Sequence, residues 1–205
     1  SWNNGDSTST IIVHTGGTYT VTQTLNGCTS AAGSGLAAPK LTPTVTTCPS
    51  NIVTGTDAGV CSAVVSYATA FTSGTPAATI SYTLTGATTG SGAGDGSGSV
   101  FNKGVTTVTV TATNLCGTAT CSFTVTVNDT EAPVIVNTPA NITTGTDAGQ
   151  CAAIVSWSTV TATDNCAVTS FTSDHHSGDV YPVGTTSIVW TVTDIHGNVS
   201  SCTMN

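Results

Sequence analysis

Apolar and hydroxyl-bearing residues alternate along most of this chain with a period of two. The pattern is plainest in TYTVTQT (18–24), TTVTVTAT (106–113), CSFTVTV (121–127) and SIVWTVT (187–193). Alternation of this kind sends successive side chains to opposite faces of an extended backbone, so each run predicts a strand with one buried face. The apolar members are mostly Val, Ile and Ala set among threonines. β-Branched side chains lose least rotamer freedom on a pleated surface. Long runs of Leu, Glu, Lys and Arg that would favour helix are absent. Gly, Asn, Asp and Pro separate the runs, and many short strands with turn residues between them predict an all-β chain of antiparallel, immunoglobulin-like sandwiches.

A sequence repeat sets the domain count. CPSNIVTGTDAGVCSAVVSY (48–67) aligns with TPANITTGTDAGQCAAIVSW (138–157) at an offset of 90, and KGVTTVTVTATNLCG (103–117) aligns with VGTTSIVWTVTDIHG (183–197) at an offset of 80. The ten extra residues of the first copy are assigned to the Gly-rich stretch GATTGSGAGDGSG (86–98), read as a surface loop, because closure entropy grows slowly with loop length. Residues 41–129 and 130–205 are therefore expected to be two sandwiches strung end to end. Residues 1–40 fall outside the repeat and read as the last two strands of a preceding sandwich, followed by the linker AAGSGLAAPK (31–40). The expected inward side chains are Val64, Tyr67, Val108, Val110, Phe123 and Val125 in the first copy, and Ile154, Trp157, Ile188, Trp190 and Val192 in the second.

Charge narrows the partners. The formal net charge is −8, with Lys40 and Lys103 the only basic residues and no arginine, which leaves nothing to neutralise phosphates. Nucleic acid is excluded as a partner, and no apolar run approaches the roughly 20 residues of a membrane span. Eight cysteines occur with no C-x-x-C spacing, so disulfides in an oxidising, extracellular compartment are expected rather than zinc.

Several ordered blocks carry a family resemblance: CPSNI…DAGVC and TPANI…DAGQC, ATDNC (162–166), YPVGTTS (181–187), TVTDIHGN (191–198) and VNDTEAP (127–133). Together, over about residues 41–205, they resemble the hyalin-repeat (HYR) domain, which implies an immunoglobulin-like fold and a role in extracellular adhesion. The first copy lacks ATDNC. Residues 1–28 resemble the end of PKD- or Ig-like modules of surface proteins from gliding Bacteroidota, which implies a large gliding or cell-surface adhesin as the source.

Parsimony between the copies suggests the disulfides. Cys61 and Cys151 precede the first core strand, and Cys121 and Cys202 lie in the last, so Cys61–Cys121 and Cys151–Cys202 are expected. Cys48 and Cys116 both lack counterparts in the second copy and would pair with each other. Cys28 is expected to pair upstream, and Cys166 could instead take Cys202 or Cys151.

Acidic and amide residues gather where the copies join and in second-copy loops: Asp129, Glu131, Asp164, Asp194 and Asn198. Hard oxygen donors from a linker and two loops could hold Ca²⁺ and stiffen the joint. The opposing reading, Asx-turns alone, is favoured by the lack of EF-hand spacing and by Asn114 standing at the first-copy counterpart of Asp194. No cofactor is required on either reading. His175 and His176 beside Asp174 and Asp179 read as a polar loop tip, since neighbours on an extended segment face opposite ways. Ser7, in Asp6-Ser7-Thr8, resembles a bacterial O-glycosylation acceptor.

A G-x-S-x-G elbow, an H-E-x-x-H pair and a paired-carboxylate cleft are all lacking, so no enzyme activity is expected. The expected function is that of a disulfide-stabilised stalk in a secreted surface filament or adhesin. Its partners would be neighbouring repeats, with surface polysaccharide or another cell-surface ligand bound outside this segment. Non-catalytic accessory modules of a large secreted enzyme are the alternative. A carbohydrate-binding module ranks below both, because Trp157 and Trp190 fall on core strands.

Overall fold

The computed structural model describes residues 1–13, 15–38, 40–72 and 74–205. Every regular element among them is a strand, in keeping with the period-two pattern. In the N-terminal part, β1 (Gly17–Val21) pairs antiparallel with β4 (Gly33–Ala37), and β2 (Thr24–Leu25) with β3 (Cys28–Thr29). The linker expected at 31–40 is thus corrected, because its Gly33–Ala37 segment is a strand. The segment has no strong side-chain signal. It is recruited by the backbone groups of β1, which need partners, and Gly35 stands opposite Tyr19 where no Cβ competes for space.

The first copy comprises β5 (Thr44–Thr47), β6 (Ile52–Gly55), β7 (Ser62–Val65), β8 (Ala70–Thr72), β9 (Thr79–Gly86), β10 (Gly90–Ala93), β11 (Ser99–Asn102), β12 (Gly104–Asn114) and β13 (Gly117–Asn128). One layer is a five-stranded sheet in the order β10-β9-β12-β13-β6, and the other is made of the pairs β5-β8 and β7-β11. All pairings are antiparallel except β13 with β6, which is parallel from Val125↔Ile52 to Asn128↔Gly55. Phe101, Val108, Val110, Phe123, Val125 and Val127 fill the space between the layers, so the alternation in TTVTVTAT and CSFTVTV points inward as predicted.

Two expectations fail here. The Gly-rich 86–98 stretch is more than a loop, since it supplies β10 at the sheet edge. Its glycines allow close approach: a Cβ on Gly92 would lie 2.9 Å from the Tyr82 ring, and one on Gly96 would lie 2.8 Å from it. Val64 is 58% exposed, with Ala63 and Val65 turned inward. In CSAVVSY two adjacent valines satisfy either face, and a shift of one residue exchanges the faces. The same inversion exposes Ile154 at 60% and buries Ala153.

The second copy comprises β14 (Val134–Val136), β15 (Ala152–Ile154), β16 (Thr161–Thr163), β17 (Val168–Ser173), β18 (Val180–Pro182), β19 (Ile188–Asp194) and β20 (Val199–Met204). A β17-β19-β20 sheet faces the pairs β14-β16 and β15-β18. Between them lie Val160, Tyr181, Ile188, Trp190 and Met204, with Trp157 packed against this core and its ring edge-on to Trp190 at 6.0 Å. Both copies are two-layer, immunoglobulin-like β-sandwiches. Each has its own core, and the loops at the facing ends of the two sandwiches meet.

Candidate functional site: the junction between the copies

Asn165, Cys166, His196 and Asn198 of the second copy reach the end of the first. Asp164 follows β16 and accepts hydrogen bonds at Oδ2 from the N–H groups of Cys166 (2.9 Å) and Ala167 (3.0 Å), an Asx-turn that sets the shape of the loop. The turn projects Asn165, whose Nδ2 donates to Val60 O (3.2 Å), Thr56 Oγ1 (3.3 Å) and Asp129 Oδ1 (3.3 Å). The β19-β20 turn is closed by Asp194, whose Oδ1 accepts from the N–H groups of His196 (2.7 Å) and Asn198 (2.8 Å). That turn aims His196 Nδ1 at Asp129 Oδ2, 2.7 Å away, where the Asp129 side chain is fully buried. Asn198 Nδ2 donates to Asp194 Oδ2 (2.6 Å) and to Asp129 O (3.4 Å).

A disulfide closes the same contact. Cys61, at the entry to β7, is bonded to Cys166 of the second copy, 105 residues away, with 4.7 Å between Cα atoms. The other disulfide, Cys48–Cys121, lies within the first copy. These pairings correct the expectation: Cys61 does not pair with Cys121, nor Cys48 with Cys116, nor Cys151 with Cys202. Cys28, Cys116, Cys151 and Cys202 are free thiols. The parsimony argument assumed that equivalent cysteines pair inside each copy, whereas the Cys61 loop faces outward along the chain axis and finds its partner across the junction. Thr138 stands at the counterpart of Cys48, and its Oγ1 lies 3.5 Å from Cys202 Sγ, so the second copy keeps the position of the Cys48–Cys121 bridge without the bond.

Of the residues proposed to hold a cation, three converge. Asp129, Asp164 and Asp194 each offer a carboxylate oxygen, and the three oxygens lie within 4.8 Å of one another. Asn198 faces the group through its bonds to Asp194 and Asp129. Glu131 does not join: its Oε2 accepts from Gly59 N at 2.9 Å and fastens the linker to the first copy's Asp57–Val60 turn. Asp164 Oδ1 and Asn165 Oδ1 are buried without a hydrogen-bond donor. Sites with three hard oxygens at this spacing fit a divalent cation whose ligands sit at about 2.3–2.6 Å. A thiolate-type site that includes Cys166 with Asp129 and His196 does not fit, because the Cys166 sulfur is committed to its disulfide.

Burial alone would raise the Asp129 carboxyl. Hydrogen bonds from His196, Glu131 N–H and Asn165, together with the His196 charge, outweigh it and hold the group below its ordinary value. Asp194 behaves alike: burial raises it, and the donors from Asn198, His196 and Gly197 lower it further. Sequence reasoning missed Asn165, Thr56 and His196. The first and last lie inside ATDNC and TDIHGN, but Thr56 carries no signal that separates it from its many neighbouring threonines. His175 and His176 do not converge, each lying beside its own carboxylate, Asp174 at 3.0 Å and Asp179 at 3.6 Å. Ser7 is exposed in the N-terminal part.

Hyalin from Lytechinus variegatus is 40% identical over 110 residues, covering 51% of this chain and 21% of that protein. Hyalin from Strongylocentrotus purpuratus is 36% identical over 109 residues, covering 51% of the chain and 9% of that protein. The chain therefore spans about a fifth or less of the curated relatives it matches. Among solved structures, the N-terminal four Ig domains of Dscam1 isoform 9.44 align over 92% of this chain and 53% of that one, with a TM-score of 0.38 and 13% identity. The protocadherin GammaB4 extracellular domain aligns over 93% and 39%, with a TM-score of 0.30 and 12% identity. Residues 128–205, which contain Asp129, Asp164, Cys166, Asp194 and His196, match the HYR domain family.

Proposed function

We propose that this chain is a non-catalytic, extracellular structural segment, in which successive sandwiches are locked end to end to form a stiff adhesive stalk. The observation that carries the reading is the junction. A bare peptide linker leaves two sandwiches free to swing, whereas Cys61–Cys166 ties the chain at a second point, beside the linker itself. The buried His196–Asp129 contact and the Asn165 hydrogen bonds add directional constraints. Two disulfides support an oxidising, extracellular setting, and no helix among the described residues is long and apolar enough to cross a membrane. The match of residues 128–205 to HYR domains, and the similarity to hyalin, support an adhesive module. The N-terminal resemblance supports a bacterial surface adhesin as the parent protein.

Small-angle scattering of the oxidised chain should give one narrow distribution of maximum dimension, and reduction should broaden it. A distribution equally broad before and after reduction would remove the locked-stalk reading.

Calcium belongs to the same proposal. Asp129, Asp164 and Asp194 would supply hard oxygens from the linker and two loops, and a cation among them would offset three clustered carboxylates in a chain with two basic residues. A ligand that binds only the folded state stabilises by about 2.7 kcal/mol at a hundredfold excess over Kd. Thermal melts in Ca²⁺ should therefore fall on adding chelator, and coincident melts would eliminate the ion.

A further inference from the structure

The first copy's docking loop is present a second time, intact and without its partner. Thr56-Asp57-Ala58-Gly59-Val60-Cys61 corresponds to Thr146-Asp147-Ala148-Gly149-Gln150-Cys151, and the two segments share the hydrogen bonds that shape the turn. Asp57 N donates to Ser62 O at 2.8 Å, and Asp147 N to Ala152 O at 2.9 Å. Val60 N donates to Asp57 O at 3.2 Å, and Gln150 N to Asp147 O at 3.0 Å. The carboxylate Oδ2 of Asp57 accepts from Val64 N at 2.9 Å, and that of Asp147 from Ile154 N at 3.0 Å. Gly59 and Gly149 both sit at φ +74°, in the left-handed region that favours glycine. Cys61 O accepts from Lys103 N at 3.2 Å, and Cys151 O from Val183 N at 3.3 Å.

The difference lies in what each loop holds. Cys61 is bonded to Cys166, and Thr56 Oγ1 and Val60 O receive Asn165. Cys151 is exposed and free. Cys202, the partner expected for it, lies instead against Thr138. The sequence of the Cys151 loop is that of a docking loop, its conformation is the docked conformation, and nothing among the described residues covers it.

We infer that the Thr146–Cys151 loop is a docking site for a further module of the same kind placed after this copy, one that presents an Asp-Asn-Cys loop whose cysteine forms a disulfide with Cys151. The asparagine of that loop would donate to Thr146 Oγ1 and Gln150 O, as Asn165 donates to Thr56 Oγ1 and Val60 O. The occupant is set by the first junction, where the loop of this shape is filled by Asp164-Asn165-Cys166. Where β8 ends at Thr72, the first-copy counterpart of Cys166 is Thr75, so the first copy lacks the Asp-Asn-Cys loop itself, and its free Cys116 lies against Thr75 with Sγ 3.4 Å from the Thr75 carbonyl oxygen.

Bond formation is a two-electron oxidation. Cys151 and the incoming cysteine each give up one proton and one electron as their sulfurs join. A small-molecule or protein disulfide of the oxidising compartment takes both electrons and both protons and leaves as two thiols. The inference rests on the locked-stalk reading and extends it from one junction to a series.

The test is non-reducing peptide mapping of the native, full-length protein after its free thiols are alkylated. The expected result is a Cys151 peptide joined to a cysteine that lies in an Asp-Asn-Cys loop of the following module, with Cys151 unalkylated. Cys151 alkylated, or joined to Cys202, Cys28 or a cysteine in any other setting, overturns the inference. The same digest reports Cys61–Cys166. If that bridge is found while Cys151 is alkylated, only the extension falls, whereas its absence removes the locked-stalk reading as well.

Discussion

In the first copy a five-stranded sheet faces two strand pairs, and Cys48–Cys121 ties the exposed β5-β6 connection to the buried face of β13. In the second a three-stranded sheet does the same work, with Thr138 beside Cys202 where the first has a bond. The junction residues divide the other way. Asp164, Asn165, Cys166 and His196 all belong to the second copy, and at the matching turn the first copy has Asn114, whose Nδ2 holds Leu41 O and Pro76 O at 2.8 Å each. One copy is therefore reinforced within itself and the other across its boundary. A sandwich of about 80 residues buries too little surface to be very stable alone, and a covalent or buried polar tie at either place offsets that deficit.

The largest expected effect probes the copy without an internal bond. Trp190 is nearly fully buried and packs on Trp157, so Trp190→Ala should destabilise the second copy by about 3–5 kcal/mol. Urea unfolding followed by circular dichroism should then separate into two transitions, and a single unshifted transition would contradict separate cores. Next in size is Thr138→Cys, which would give the second copy the bridge that the first possesses. With its ends 64 positions apart, it should add about 2–4 kcal/mol under oxidising conditions. Trp157 and Trp190 make tryptophan fluorescence a probe of this copy, and no gain on oxidation would show that the two bridge positions are not equivalent.

A smaller effect tests the Gly-rich turn that follows β10, a strand the second copy lacks. A Cβ on Gly96 would meet Tyr82 at 2.8 Å and Tyr67 Oη at 3.0 Å, whereas one on Gly94 would meet nothing within 4 Å, though both glycines have positive φ. Gly96→Ala should therefore destabilise the first copy by about 1–3 kcal/mol more than Gly94→Ala. Equal losses from the two would mean that the Tyr82 contact is immaterial.

The smallest effect concerns pH. Asp129 and Asp194 are held below the ordinary aspartate value, so across the acid range the unfolded chain binds more protons than the native one. Their contribution is fully present above the ordinary value of about 3.9 and is lost as pH falls through the lower native values. Melting temperatures measured downward from pH 6 should fall, and Asp129→Asn should flatten that fall. Parallel slopes for the two proteins would dismiss the Asp129 contribution.

Much of the site was legible. VNDTEAP, ATDNC and TDIHGN pointed to the junction, and Asp129, Asp164 and Asp194 do converge there. Glu131 was drawn into the set by proximity along the chain, yet its side chain turns back to Gly59. The Asx-turn reading of Asp164 and Asp194 also describes real hydrogen bonds, so the same carboxylates shape their loops and face the cluster.

What the sequence by itself determined is whatever depends on local periodicity: strands where Val and Thr alternate, two copies where blocks recur, and inward positions such as Val108, Val110 and Trp190. It left open Val64 against Val65, because two adjacent apolar residues satisfy either face of a strand. Only the tertiary structure decided the cysteine partners and the Thr56–Asn165–Asp129 contacts. A disulfide forms between residues brought within about 4.4–6.8 Å by folding, and that distance depends on how two separately folded units meet end to end, which no repeat within either unit encodes.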